Sequence, residues 1–205
     1  MHGISLAVLA GGQSTRFGSN KALTEVDGRP IVQRVIEAAR DLADEAFIVT
    51  NTPDEYARFG LPLVPDLLPS GGALRGLHTA LSTARGPWVL CLACDMPFPR
   101  KRLLQRLCEL ALTPSPSPLG GVAPRHAGGV EPLCAIYQRD VCLPLFAPLF
   151  AAGRYRLSGI YEQAPMRFVE PPELDELDPG LLSFVNVNTH ADLEAAAALA
   201  RERDL

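Results

Sequence analysis

The sequence predicts an α/β protein with a mostly parallel central sheet. In the first half of the 205-residue chain, short apolar runs alternate with longer segments of helical periodicity, which is the order typical of strand–helix–strand units. Several of these apolar runs are followed by glycine, asparagine or aspartate. Ligands of open parallel sheets bind outside the carboxyl ends of the strands, so these residues are the first candidates for a functional site.

Each element follows from its local pattern. Pro30 suits the first position of a helix, and Ile31, Val35 and Ala39 continue that helix as an apolar stripe. The predicted strands cover residues 4–8, 45–50, 61–64, 87–93, 130–137 and 184–188. The predicted helices begin at Pro30, cover residues 74–84, run from Pro99 to about Leu112, and cover residues 141–152 and 191–203.

Residues 113–121 form the most linker-like segment, because prolines alternate with serine or threonine there. Alternating prolines disfavour a helix and suit an extended, exposed chain. A boundary between two domains is one interpretation. Neither side of the segment makes a complete α/β unit alone, so we expect a surface loop within a single domain of residues 1–205.

Composition excludes several classes of protein. A net charge of −4 argues against general nucleic-acid binding, which usually requires a basic excess. No uninterrupted apolar stretch is long enough to span a membrane, and the N-terminus lacks the pattern of a signal peptide. The expectation is a cytoplasmic protein that binds neither nucleic acid nor membranes.

Cys91 and Cys94 match the C-x-x-C spacing, but the chain has no second pair of this kind, so zinc is not expected. On an extended strand, residues three apart point to opposite faces. We therefore expect the five cysteines to be small buried residues, with a redox pair as the alternative. The histidines have no ligand spacing and are expected to be surface or packing residues: His2, His78, His126 and His190.

The glycine-rich loop after the first strand is the most informative segment, and it reads Leu9-Ala10-Gly11-Gly12-Gln13-Ser14-Thr15-Arg16-Phe17-Gly18-Ser19-Asn20-Lys21-Ala22. Glycines let backbone N–H groups approach an anion closely, and Arg16 and Lys21 add positive charge. The loop therefore predicts a polyphosphate ligand. Its spacing excludes a Walker A loop, and the dinucleotide fingerprint G-x-G-x-x-G is absent. A glycine-rich turn with incidental charges is the alternative.

Asp95 follows the apolar strand 87–93 and is expected to face the same crevice as this loop. A lone carboxylate suits Mg²⁺, which commonly takes one or two protein carboxylates together with phosphate oxygens and water. The alternative role is that of an N-cap for the helix that follows. We favour the metal, because a bound polyphosphate needs a cation.

Four further polar residues lie at predicted strand ends or on the last strand. Asp66 and Asn51 follow strands and would hold ribose or base, or would form turns. Asn186 and Asn188 alternate, so both would point to one face. Amides are costly to bury without partners, which favours a ligand or metal over local backbone contacts. Arg75 would contact phosphate or lie in solvent at a helix start.

Together these motifs resemble the molybdenum cofactor guanylyltransferases over nearly the whole chain. The resemblance is carried by the glycine-rich loop, Asn51, Asp66, Gly72-Ala73-Leu74-Arg75-Gly76-Leu77, Cys94-Asp95-Met96-Pro97, Glu131-Pro132-Leu133 with Tyr137, and Asn186-Val187-Asn188-Thr189. Three positions depart from the family pattern: Asn20 stands where an acidic residue is common, Ala73 where proline is common, and Glu131 where glutamine or histidine is common.

The resemblance implies a Rossmann-like, three-layer α/β/α nucleotidyltransferase fold. It implies transfer of GMP from GTP to the phosphate of molybdopterin, with Mg²⁺ as cofactor. The residues that match nucleotide-binding positions are Leu9, Ala10, Gly11, Lys21, Asn51, Asp66 and Asp95, with Asp95 also holding the metal. In the proposed reaction Gly12 and Arg16 would bind the triphosphate together with Gly11 and Lys21, and the expected catalytic residues are Arg16, Lys21 and Asp95. Asn186 and Asn188 match positions near the pterin.

Other functions stay open on the sequence alone. A cytidylyltransferase or a sugar-phosphate nucleotidyltransferase would share the fold and the loop. A regulatory protein that binds nucleotide without turnover is an alternative of another class, against which Asp95 and Lys21 argue. Transient contacts with proteins that deliver or accept the cofactor are expected from the reaction.

Overall fold

A mixed sheet forms the centre of the computed structural model, which describes residues 3–11 and 20–203. The strands are β1 (Ile4–Leu9), β2 (Glu25–Val26), β3 (Arg29–Pro30), β4 (Glu45–Val49), β5 (Leu63–Val64), β6 (Trp88–Ala93), β7 (Gly121–His126), β8 (Gly129–Val130), β9 (Cys134–Gln138) and β10 (Met166–Val169). The main sheet has the order β10-β7-β9-β6-β1-β4-β5, and β8 pairs with β7. The strands β2 and β3 form a separate hairpin.

Parallel pairing dominates the half of the sheet that contains β1. Strand β1 is parallel to β4 and β6, and β4 is parallel to β5. Strand β9 is antiparallel to both β6 and β7, while β10 is parallel to β7. The sheet is therefore mostly parallel, as the alternation of strand and helix patterns predicts.

Helices cover both faces of the sheet. They are α1 (Ile31–Ala39), α2 (Pro53–Tyr56), α3 (Gly72–Thr83), α4 (Lys101–Leu112), α5 (Arg139–Ala151), α6 (Ser158–Tyr161), α7 (Glu173–Leu177) and α8 (His190–Arg203). Short 3₁₀ helices add Lys21–Leu23, Arg40–Leu42, Ala57–Phe59 and Leu182–Phe184. None of the helices in the described ranges is long and apolar enough to cross a membrane.

Alternating side chains of β1 divide the core into two layers. Ile4, Leu6 and Val8 pack with the side chains of α1 and α4 on one face, while Ala7 and Leu9 pack with α3 and α5 on the other. This is the period-2 alternation of an extended strand that is buried on both faces. It produces the three-layer α/β/α arrangement.

The loop predicted at 113–121 connects α4 to β7, and its residues from Thr113 to Pro118 are exposed. Strands from both sides of this loop belong to the same sheet, because β7 pairs with β9 and β9 pairs with β6.

Two predicted strands differ from the structure. The segment predicted as 130–137 is divided: β8 ends at Val130, and β9 begins only at Cys134. The predicted last strand, 184–188, is wrong. Asp178 is fully buried and accepts hydrogen bonds from the backbone N–H groups of Leu182 (3.0 Å) and Ser183 (2.9 Å). These bonds fold the chain into a 3₁₀ turn that an extended strand does not have.

Candidate functional site

Four of the predicted site residues follow strand residues that lie side by side across the sheet. Leu9 lies in register with Val49 of β4 and Ala93 of β6, and Val49 lies in register with Val64 of β5. Each of these strands is followed, two residues later, by one member of the set Gly11, Asn51, Asp66 and Asp95. The carboxyl ends of four parallel strands therefore present them along one edge, where ligands of open α/β sheets bind.

The ammonium group of Lys21 lies at this edge beside Asp95. Its Nζ donates to Asp95 Oδ2 at 2.7 Å and to Asn188 Oδ1 at 2.8 Å. The side chains of Lys21 and Asp95 are each about one-fifth exposed, so the pair is accessible from solvent while it is held in place. The structure thus brings together Lys21, Asp95 and Asn188, which the sequence places in three separate motifs.

Lys21 begins a 3₁₀ helix that is fixed at its N-terminus. Asn20 caps this helix, accepting a hydrogen bond from the Ala22 N–H at 3.2 Å. The amide of Asn20 also donates to the hydroxyl of buried Tyr56 at 2.9 Å and contacts Glu55. Sequence reasoning identified Asn20 only as a departure from the family pattern and missed Tyr56, for which the sequence gives no local signal.

Asn188 is held by the start of the last helix. The carboxylate of Asp192 accepts from the backbone N–H groups of Asn188 (2.9 Å) and Thr189 (2.8 Å), and Thr189 Oγ1 accepts from the Asp192 N–H. These backbone hydrogen bonds, that of Asn188 first, lower the pKa of Asp192. The spacing Thr-x-x-Asp is that of a capping box, so the local sequence could have indicated this helix start, although the predictions above did not use it. Val187 adds a bond from its N–H to the carbonyl of Asp95 at 2.9 Å.

Asn51 and Asp66 form a second polar group on the β4–β5 side of Lys21. Asn51 Nδ2 donates to Asp66 Oδ2 at 2.7 Å, and the Asp66 N–H donates to Asn51 Oδ1 at 3.0 Å. Arg75 also contacts Asp66 Oδ2, at 2.7 Å from its Nη2. Arg75 thus pairs with a carboxylate in this structure. The sequence analysis considered only a phosphate contact or exposure to solvent for this residue.

A third group lies on the β7–β9 side of Asp95. His126 Nε2 lies 2.8 Å from Glu131 Oε1, and its ring stacks on Phe184 with centroids 5.2 Å apart and planes inclined by 10°. The Gly128 N–H donates to His126 Nδ1 at 3.0 Å, so the ring proton is on Nε2 and faces Glu131. Asn186 Nδ2 donates to the carbonyl of Phe184 at 3.1 Å. His126 is therefore a packing residue that also makes a polar contact.

The oxygen atoms around Lys21 Nζ form a donor set that suits a hard cation. Asp95 Oδ2 and Asn188 Oδ1 converge on one cationic atom, and carboxylate and amide oxygens are the ligands that Mg²⁺ accepts. Among residues 3–11 and 20–203, no cluster of three or more acidic, histidine or cysteine side chains is arranged to hold a metal. Asp95 is the carboxylate of this donor set, and a single carboxylate suits a Mg²⁺ ion that takes its other ligands from phosphate oxygens and water.

Asp95 does not cap a helix. Helix α4 begins at Lys101, and its N-cap position is Arg100, whose side chain makes no capping hydrogen bond. The alternative role considered for Asp95 is therefore wrong. Its contacts are instead with Lys21 and, through its carbonyl, with Val187.

The remaining predicted residues belong to the loop after β1. Leu9 and Ala10 are almost fully buried at the end of the strand, and Ala10 donates its N–H to the Val49 carbonyl at 2.9 Å. Gly11 is exposed and abuts Asp66, because a Cβ at Gly11 would lie 3.5 Å from Asp66 Oδ2. Gly12 and Arg16 lie outside the described residues.

The two cysteines of the C-x-x-C sequence lie in different core layers. Cys91 packs with α3 and α5, and Cys94 packs with α1 and α4. All five cysteines are free and buried, and burial raises the pKa of the Cys94 thiol to about 12. The expectation that they are buried packing residues is confirmed.

Comparison with known proteins gives consistent results. Residues 6–167 match the model of the MobA-like NTP transferase domain. The molybdenum cofactor guanylyltransferase of Desulfosudis oleivorans is 35% identical over 97% of this chain and 96% of its own length. A relative from Pelotomaculum thermopropionicum, called a probable molybdenum cofactor guanylyltransferase, is 32% identical over 94% of this chain and 91% of its own.

Among solved structures, a similar fold occurs in molybdopterin-guanine dinucleotide biosynthesis protein A from Archaeoglobus fulgidus. It has a TM-score of 0.80 and 24% identity, and the match covers 97% of this chain and 99% of that one. At this identity the likeness shows the fold alone. It confirms the nucleotidyltransferase architecture that the sequence predicts.

Proposed function

Because this chain belongs to the MobA-like NTP transferase family, we propose that it transfers GMP from GTP to the phosphate of molybdopterin and releases pyrophosphate. The product would be the guanine dinucleotide form of the cofactor. The relatives named above as molybdenum cofactor guanylyltransferases support this reaction. The observation in this chain that carries it is the convergence of Lys21, Asp95 and Asn188 at the carboxyl edge of the sheet.

Nucleotidyl transfer depends mainly on positioning and charge stabilisation. The terminal phosphate of molybdopterin attacks the α-phosphate of GTP, and the bond from the α-phosphorus to the bridging oxygen breaks. The attacking phosphate is already anionic, so no side chain needs to remove a proton. Lys21 would place its charge beside the reacting phosphates, with Arg16 and the backbone of Gly11 and Gly12 binding the rest of the triphosphate.

Mg²⁺ is part of this proposal, with Asp95 as its protein carboxylate and Asn188 Oδ1 as a nearby amide oxygen. When bound, the ion neutralises the charge that develops on the phosphate oxygens. Lys21 now occupies the position between these two oxygens. Its ammonium group would therefore shift toward the triphosphate when the substrate and metal bind together.

The two polar groups on either side of Lys21 would divide the crevice between the substrates. Asn51 and Asp66, together with Leu9 and Ala10, would hold the nucleoside of GTP on the β4–β5 side. The group made by Glu131, His126 and Phe184 would border the acceptor on the β7–β9 side, where Asn186 also lies. Because Asn188 contacts Lys21, we propose that it serves the phosphates and metal rather than the pterin.

The proposal extends to the setting of the reaction. We place the protein in the cytoplasm, and we expect transient contacts with proteins that deliver molybdopterin or accept its dinucleotide form. Proximity labelling in cells would test the location and would identify these partners.

The reaction is tested by mixing the purified protein with GTP, Mg²⁺ and molybdopterin and measuring pyrophosphate and the dinucleotide product. Lys21→Met and Asp95→Asn should each lower kcat about a hundredfold, the scale of losing one preorganised charge contact. Lys101→Met is the matched control, because Lys101 pairs with Asp41 outside the site. All variants should keep a cooperative unfolding transition.

Three outcomes would contradict the proposal. Near-normal rates in Lys21→Met or Asp95→Asn would remove these residues from the reaction. Faster turnover with CTP than with GTP would indicate a cytidylyltransferase. Nucleotide binding without pyrophosphate release in the presence of molybdopterin would indicate a binding protein.

A further inference from the structure

Arg75 lies in the first turn of α3, and its side chain reaches back to the loop before that helix. Its Nη2 lies 2.7 Å from Asp66 Oδ2, and its Nη1 donates to the Pro69 carbonyl at 2.8 Å. A helix N-terminus disfavours a cation and favours an anion. The position of Arg75 is therefore explained by Asp66 and not by the helix that carries it.

The backbone before α3 is shaped to allow this contact. Gly71 has φ +129°, and a Cβ at this residue would lie 3.1 Å from Arg75 Cβ and 3.3 Å from the ring of Phe150. A residue with a side chain would be strained in this conformation and would crowd both neighbours. Glycine lets the turn close tightly, so that the first turn of α3 packs against the loop of Asp66 and Pro69.

The two oxygens of Asp66 differ in their contacts. Oδ2 accepts a hydrogen bond from Asn51 Nδ2 at 2.7 Å and forms an ion pair with Arg75 Nη2, also at 2.7 Å. Oδ1 has no hydrogen-bond partner among residues 3–11 and 20–203, although the Asp66 side chain is only 3% exposed. Leaving a buried carboxylate oxygen unpaired costs stability.

Arg75 shares this cost, because its Nε is also buried and unpaired within the same described ranges. A pair that served stability alone would leave neither atom unpaired. In Asp66, one carboxylate oxygen has polar partners and the other has none among the described residues. This is instead typical of a site where a bound ligand supplies the missing hydrogen bond.

We propose that Arg75 is a positioning residue for nucleotide recognition. It fixes the Asp66 carboxylate so that Oδ1 alone accepts a hydrogen bond from the nucleoside. This inference rests on the proposed function, because it assumes that the nucleoside lies beside Asp66. A carboxylate only accepts hydrogen bonds, so the group it meets must be a donor, and we assign it to the 2-amino group of guanine or the 2′-hydroxyl of the ribose.

Calorimetric titration with GTP and Mg²⁺ tests the role of Arg75. We expect Arg75→Met to raise the Kd for GTP about tenfold or more, the scale of a hydrogen bond to a charged group, while kcat at saturating GTP changes less than threefold. Arg75→Lys should recover part of the affinity. Arg85→Met is the matched control, because Arg85 pairs with Glu45 at the opposite edge of the sheet.

A double-mutant cycle separates positioning from direct contact. If Arg75 acts through Asp66, adding Arg75→Met to Asp66→Asn should weaken GTP binding by less than threefold further, because the two changes remove one unit. Full additivity, or a loss in kcat equal to the loss in affinity, would mean that Arg75 contacts phosphate directly and would overturn the proposal. Thermal unfolding of each variant checks that it folds.

Two analogues identify the donor. If Oδ1 meets the base, the preference for GTP over ITP, which lacks the 2-amino group, shrinks in Arg75→Met. If it meets the sugar, the preference for GTP over its 2′-deoxy form shrinks instead. An unchanged preference in both comparisons overturns the proposal. Failure of the wild-type protein to bind GTP would contradict the proposed function instead, so the two failures are distinguishable.

Discussion

Lys21 joins distant parts of the chain through a single ammonium group. Its partner Asp95 is 74 residues away, and its partner Asn188 is 167 residues away. Asn186 is only two residues before Asn188, yet it donates to the carbonyl of Phe184. The two asparagines therefore have different environments, although their spacing predicts a shared face on an extended strand.

This division leads to a prediction about the two amides. Asn188→Ala should lower kcat about tenfold or more, because it removes a hydrogen bond to a charged group, and it should leave the KM for molybdopterin within threefold. Asn186→Ala should raise the KM for molybdopterin with little change in GTP affinity. Steady-state kinetics with each substrate varied in turn measures both effects.

The reverse pattern would return Asn188 to the acceptor side. Equal effects of the two changes on one substrate would also contradict the assignment of the two asparagines to different substrates. They would indicate that both side chains face the same ligand. Cooperative unfolding of both variants serves as the folding control.

At the scale of elements, α2 is connected to the 3₁₀ helix that carries Lys21. Tyr56 is the last residue of α2 and is fully buried. Its hydroxyl donates to Asn20 Oδ1 at 3.1 Å and accepts from Asn20 Nδ2 at 2.9 Å. Because α2 follows Asn51 closely, this contact connects the proposed nucleoside side of the crevice with the segment that carries Lys21.

Tyr56→Phe should therefore affect both stability and activity. The loss of this hydrogen bonding should lower the free energy of unfolding by about 1 kcal/mol, as urea denaturation would measure. It should also lower kcat/KM for GTP about threefold to tenfold, since Asn20 no longer fixes the start of the helix at Lys21.

Tyr155→Phe is the control for this change, because Tyr155 is half-exposed and lies in another part of the chain. A stability loss without any kinetic effect would limit Tyr56 to a structural role.

The sequence predicts the parallel half of the sheet well, because buried parallel strands are continuous apolar runs. The runs that end before Asn51 and Asp95 are examples. The sequence does not predict β7, in which Pro124 interrupts the strand pattern, nor the short strand β10. The contacts of Arg75 with Asp66 and of Asn188 with Lys21 join segments that come together only when the whole chain has folded. No local sequence pattern predicts such contacts.

At the scale of the whole molecule, the cysteines are distributed through the core. All five are buried, in the layer of α1 and α4 or in the layer of α3 and α5. Burial raises the pKa of Cys94, Cys108 and Cys142 to about 12 and also raises the pKa of Cys91 and Cys134. At pH 8 the thiols are therefore neutral, whereas the thiolate is the reactive form.

The folded protein should resist alkylation at pH 8. Mass spectrometry after brief iodoacetamide treatment should find no modified cysteine, and the same treatment in guanidinium chloride should modify all five. Fast modification of Cys91 or Cys94 in the folded state would contradict their placement. Elemental analysis for zinc on the same sample completes the test of this C-x-x-C sequence.

The exposed loop between α4 and β7 has a consequence for how the chain can change in length. Gly120, at its end, accepts from the N–H of Gln138, which pairs with Trp88 at the first residue of β6. The loop is thus a whole strand away from Asp95. Insertions there should leave the residues at the carboxyl edge undisturbed, so an added segment should be tolerated in this loop. One extra residue between Val64 and Asp66 would instead displace the carboxylate from that edge.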